Sequence, residues 1–90
     1  MEKMRNTAEL FKQVSDPTRL QVIALLREDS RHVGAICDAL GNQSQPAVSH
    51  HLSLLRHSGM IYSTRNGKQN VYSLTEKGES LADVVAAFVE

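Results

Sequence analysis

Apolar residues recur at helical spacing through most of the chain and switch once to strand spacing. Met4, Ala8 and Phe11 fall at i, i+4 and i+7, with Leu10 and Val14 beside them, which predicts a first helix with one apolar face. That helix stops near Ser15-Asp16-Pro17, where Asp16 is a good N-cap and Pro17 suits the first position of a second helix. Leu20, Ile23 and Ala24 form the stripe of the second helix, closed by Leu26 or Arg27, and the polar run Arg27 to Arg31 marks its end. A short third helix is expected over Val33 to Leu40, because Val33, Ile36, Cys37 and Leu40 share one face. Gly41 is placed as its C-terminal glycine, and Asn42 and Gln43 complete a tight turn. Ser44 can then cap a fourth helix with Pro46 in its first turn. Val48, Leu52 and Leu55 form its buried row, with Leu54 beside them, and Gly59 ends it.

The period then changes. Ile61 to Arg65 and Val71 to Leu74 are rich in β-branched and aromatic residues, and Asn66-Gly67 between them predicts a hairpin turn. Tyr62 and Tyr72 are expected to pack across the two strands. Thr75 caps a last helix, with Glu76 and Glu79 favourable near its positive end. Leu81, Val84, Val85 and Phe88 form its stripe, widened by Ala82, Ala86 and Val89. The expected architecture is mainly α with one small β-hairpin, and helices at both ends.

Composition narrows the class. The 90 residues are 41% hydrophobic and 22% charged, close to a globular average. A chain of this mass buries about 64% of its unfolded surface, enough for one small core, so one domain over residues 1–90 is expected. The lone Cys37 excludes an intrachain disulfide and fits a reducing cytoplasm. The longest apolar run, Val84 to Val89, falls far short of a membrane span. No apolar signal core follows Met1-Glu2-Lys3-Met4-Arg5, so a cytoplasmic protein is expected.

Formal charge is +0, but the distribution is uneven. From Ala39 to Thr75 there is no Asp or Glu, where the average frequency would place about four. The same stretch holds Arg56, Arg65 and Lys68, for a net charge of +3 with histidines neutral. Two short helices joined by a glycine turn and followed by a hairpin make a winged helix-turn-helix, whose second helix is the recognition helix. With Val48, Leu52 and Leu55 inward, its outward row is Gln45, Ser49, Ser53 and Arg56, flanked by Ser44, Pro46 and His50. Small polar residues allow close approach to a major-groove floor, and Gln45 can pair bidentately with adenine. Arg56 is placed to meet phosphate, and Arg65 and Lys68 on the wing to meet backbone phosphate or the minor groove. A DNA-binding set of Ser44, Gln45, Pro46, Ser49, His50, Ser53, Arg56, Arg65 and Lys68 follows.

Ser15-Asp16-Pro17-Thr18-Arg19-Leu20, then Ser44-Gln45-Pro46-Ala47-Val48-Ser49-His50-His51-Leu52 with Leu55-Arg56, then Gly59-Met60-Ile61, resemble the ArsR/SmtB repressors over nearly the whole chain. The resemblance implies a homodimeric winged-helix transcriptional repressor of bacteria or archaea, released from a palindromic operator by a small-molecule, metal or redox signal. Its terminal helices would form the dimer interface. Met4, Phe11, Leu81, Val84, Val85 and Phe88 are the candidates, because one small trihelical core cannot cover both terminal stripes. Two alternatives stand beside this reading. One is a MarR-like regulator, which Leu74-Thr75-Glu76-Lys77-Gly78 also resembles. The other is a winged helix used for protein contact, against which the acid-free segment argues.

Where many family members carry two metal-binding cysteines, this chain has His32 and Gly34. The last helix holds no histidine to build the zinc site found in other members. His32 and Cys37 stand about 140° apart round a helix and do not converge. No metal and no cofactor are expected, and Cys37 reads as a small core residue. His51 is expected to pack partly under the wing, and His57 to bond the end of its own helix. No nucleophile, base and orienting acid come together, nor is there a phosphate-cradling glycine loop, so no enzyme is expected.

Overall fold

The computed structural model describes residues 1–89. Helices α1 (Glu2–Val14), α2 (Pro17–Glu28), α3 (Val33–Leu40), α4 (Gln45–His57) and α5 (Glu76–Val89) surround a three-stranded antiparallel sheet. Its strands are β1 (Arg31–His32), β2 (Ile61–Asn66) and β3 (Gln69–Leu74), in the order β1-β3-β2.

Local chemistry sets the helix starts. Asp16 Oδ2 accepts from the amides of Thr18 (2.9 Å) and Arg19 (3.2 Å), and Pro17 occupies the first helical position of α2. Ser44 Oγ accepts from the Ala47 amide at 3.2 Å. Thr75 Oγ1 accepts from the Gly78 amide at 3.1 Å and donates to the Gly59 carbonyl at 2.6 Å, so one hydroxyl caps α5 and ties it to the end of α4. Gly41 and Gly59 both lie at φ +80°, where a side chain is strained.

The core gathers Val14, Val22, Ile23, Leu26, Ile36, Val48, Leu52, Leu55, Met60, Ile61 and Ala82. Leu10, Cys37, Tyr72 and Leu81 pack against its edge. The α4 row is as expected. In α2 the inward face is Val22, Ile23 and Leu26, while Leu20 is half-buried and Ala24 is exposed.

Three features of the sheet differ from expectation. The hairpin gains a third strand, as Arg31 and His32 pair with Tyr72 and Val71. Two residues are too few to show a period of two. Asn66 pairs with Gln69, so the turn is Gly67-Lys68 rather than Asn66-Gly67. Gly67 has φ +65° and no other residue type in the chain's described part has positive φ, the sign pattern of a type II′ turn with glycine first. Finally, Tyr62 pairs with Ser73 and Tyr72 with Ser63, so the two tyrosines lie on opposite faces. Tyr72 packs on the core and Tyr62 is exposed; they form no cross-strand pair.

Candidate nucleic-acid interface

The capped start of α4 and the wing carry the residues singled out in the sequence. Ser44, Gln45, Pro46, Ser49, His50 and Arg56 are exposed, and Ser53 is half-buried. Because Ser44 Oγ uses a lone pair for the cap, its proton remains free to donate. The cap and Pro46 leave little backbone donor capacity in the first turn: the Ala47 amide is taken by Ser44 Oγ, the Val48 amide by the Ser44 carbonyl, and Pro46 has no N–H. On the wing, Arg65 Nε donates to the Gly67 carbonyl at 3.0 Å, buttressing the turn and leaving the terminal guanidinium nitrogens outward. Lys68 sits in the turn itself and is exposed, as are Asn66, Gln69 and Asn70. These three amides were not singled out in the sequence, since nothing in their pattern separates a wing tip from any polar turn.

The histidines divide by environment. His50 is exposed beside the outward row. His57 Nδ1 lies 2.7 Å from the Ser53 carbonyl, within its own helix as expected. His51 is not held by the wing: its Nδ1 accepts from Arg19 Nε at 3.2 Å and lies 3.9 Å from Asp16 Oδ2, at the start of α2. His32 Nδ1 caps α3 by accepting from the Ala35 amide at 3.3 Å. Cys37 is half-buried against the core. Among the described residues, no group of three or more His, Cys, Asp or Glu side chains is gathered to hold a metal ion. No helix there is long and apolar enough to cross a membrane.

A second surface lies at the terminal helices. Met4 is 74% exposed, Phe11 55%, Val84 50% and Phe88 86%. Leu10, Phe11, Val14, Leu81 and Val84 line an apolar groove between α1 and α5. Val85 is half-buried and lines the other side of α5, with Ala24, Ala86 and Val89.

A helix-turn-helix with an acid-free second helix and a basic wing defines a winged-helix DNA-binding protein. Residues 16–63 match the model of the bacterial regulatory proteins of the arsR family. The chain is 40% identical over 77 residues to an HTH-type transcriptional regulator of Methanocaldococcus jannaschii, MJ1325, covering 84% of this chain and 85% of that one. It superposes on the transcriptional repressor BigR from Xylella fastidiosa with a TM-score of 0.85 and 34% identity, covering 97% of this chain and 86% of that one. It superposes on the homodimeric winged helix-turn-helix domain of Mb0332 from Mycobacterium bovis with a TM-score of 0.81 and 27% identity, covering 98% and 79%. The chain belongs to the arsR family of transcriptional regulators. The MarR-type alternative is thereby set aside.

Proposed function

We propose that the protein is a homodimeric cytoplasmic repressor, one winged-helix domain per chain, that reads a palindromic operator with α4 of each protomer and is released by a signal. It carries out no catalysis and needs no cofactor or metal to bind DNA. The observation that carries this reading is the exposed row Gln45, Ser49 and Arg56 on a helix within a stretch of sequence, Ala39 to Thr75, that holds no acid. Its amide, hydroxyl and guanidinium groups match base edges and phosphates, and nothing there repels a polyanion.

Two further observations support the dimer. The chain exposes 6097 Å², against about 5,200 Å² for a folded monomer of its mass. The excess is close to the roughly 800 Å² that each partner buries in a standard interface. The Mb0332 neighbour is described as homodimeric. A two-fold pair sets its recognition helices about 34–36 Å apart, or a multiple of that, matching a palindrome. Selection of bound duplexes from a randomised pool tests the reading; an inverted repeat is expected, and the absence of any preferred sequence would overturn it.

Gln45 stands in the first turn of α4, where base contacts concentrate. Gln45→Ala is expected to cost about 1–3 kcal/mol on the selected duplex and to relax preference at one base pair. Titration against single-position variants of the duplex checks this; unchanged affinity and preference would contradict the assignment. Lys68 instead meets the backbone. Lys68→Ala is expected to weaken selected and random duplexes alike and to lower the slope of log affinity on log salt by about one. A loss confined to one sequence would mean that Lys68 reads a base.

A further inference from the structure

We propose that Asp16, Thr18 and Arg19 at the start of α2 join Gln43 and His51 in a polar latch that holds α4 in its reading orientation. These are positioning residues: they set sequence discrimination without touching DNA. The inference rests on α4 being the recognition helix.

The hydrophobic row Val48, Leu52 and Leu55 holds α4 onto the core, but apolar contact is non-directional and tolerates small rolls of a helix. Hydrogen bonds weaken steeply with misalignment and do not tolerate such a roll. Two of them run from α2 to the reading unit. Arg19 Nε donates to His51 Nδ1 at 3.2 Å. Gln43 Nε2 donates to Thr18 Oγ1 at 3.3 Å, in the turn just before the Ser44 cap. Gln43 precedes the Ser44 cap and His51 lies inside α4, so the two bonds hold the reading unit at two separate points.

Asp16 makes the start of α2 rigid enough to serve. Its Oδ2 binds the Thr18 and Arg19 amides, so both anchoring residues are fixed at the backbone, and the same oxygen stands 3.9 Å from His51 Nδ1. The His51 side chain is only 17% exposed, and His51 lies off the outward row of Gln45, Ser49 and Arg56. Its effect on DNA therefore passes through the placement of its helix. A base-edge hydrogen bond needs its donor and acceptor within a few tenths of an ångström, so a small roll of α4 costs specific contacts and spares the diffuse attraction to phosphate.

The test compares His51→Leu, His51→Asn, Thr18→Val and Gln45→Ala. Each is titrated with the duplex that the wild-type protein selects from a randomised pool and with a scrambled duplex of the same composition, and each is melted. His51→Leu removes the acceptor and is expected to lower the ratio of selected to scrambled affinity about tenfold, with scrambled affinity unchanged. His51→Asn sets a carbonyl oxygen where Nδ1 stood and is expected to restore most of that ratio. Thr18→Val is expected to lower the ratio with little change in melting temperature, and it carries the test if His51→Leu does not fold. A wild-type ratio in His51→Leu, or in Thr18→Val if His51→Leu does not fold, overturns the latch. So does an Asn variant as poor as the Leu variant. If Gln45→Ala loses preference while His51→Leu and Thr18→Val keep theirs, the latch alone fails. If Gln45→Ala keeps it as well, the assignment of α4 as the reading helix fails with it.

Discussion

Phe88→Glu is expected to turn the proposed dimer into a folded monomer that no longer holds the proposed operator. Phe88 is 86% exposed in the isolated chain, so it contributes almost nothing to the protomer's own core. It lies one turn beyond Val84 on the α5 face that, with Phe11 of α1, forms the apolar surface assigned to the partner. A carboxylate on that surface has to be desolvated without a countercharge if the proposed dimer is to form, and the two-fold axis doubles the cost. The monomer instead keeps the charge in water and loses only a solvent-exposed ring. Operator affinity then falls by about two to four orders of magnitude, because two weak half-site contacts are no longer linked. Sedimentation at tens of micromolar and operator titration check both parts. A wild-type protein that sediments as a monomer, or a variant that stays dimeric with full affinity, would refute the proposed interface.

Gly78→Ala is expected to destabilise the protein by about 3 kcal/mol, although alanine is the better helix former by up to about 1 kcal/mol. A Cβ built on Gly78 collides with the carbonyl oxygen of Met60 and crowds its carbonyl carbon and Leu74 Cδ2. The carbonyl cannot easily yield. Met60 is 2% exposed, and its oxygen accepts from the Thr75 amide at 3.0 Å. Either α5 lifts off the α4–β2 turn, breaking the Thr75 bonds to Gly59 and Met60, or the turn moves and disturbs the core. A loss of this size lowers the melting temperature of a domain this small by about 12–24 °C. The comparison is made at equal protomer concentration, since dimerisation contributes to the melting point. A variant melting at or above the wild type would show that α5 does not rest on that turn.

Helix starts and helix faces were largely legible in the sequence because their causes are local. A capping side chain reaches only two or three residues ahead, so Asp16, Ser44 and Thr75 could be recognised from their neighbours alone. The buried row of α4 follows from the repeat of Val48, Leu52 and Leu55, and removing that face leaves Gln45, Ser49 and Arg56 for DNA. The uncovered apolar stripes of α1 and α5 were legible by the same means. Turn chemistry was only half legible: Asn66-Gly67 marked a reversal, but the register of the strands placed it one residue later.

Tertiary structure decided what depends on partners distant in sequence. β1 exists because β3 offers it an edge some forty residues on. The strand pairing, not the residues, sent Tyr62 outward and Tyr72 inward. His51 looks like any helix histidine until folding brings Arg19 and Asp16 beside it, and Gly78 like a poor helix residue until Met60 meets it. Periodicity and capping act through the next turn of the chain, and a sequence displays them directly. A hydrogen bond or a steric contact across tens of residues depends on how whole elements pack, and the core that packs them is built from apolar contacts that carry no direction of their own.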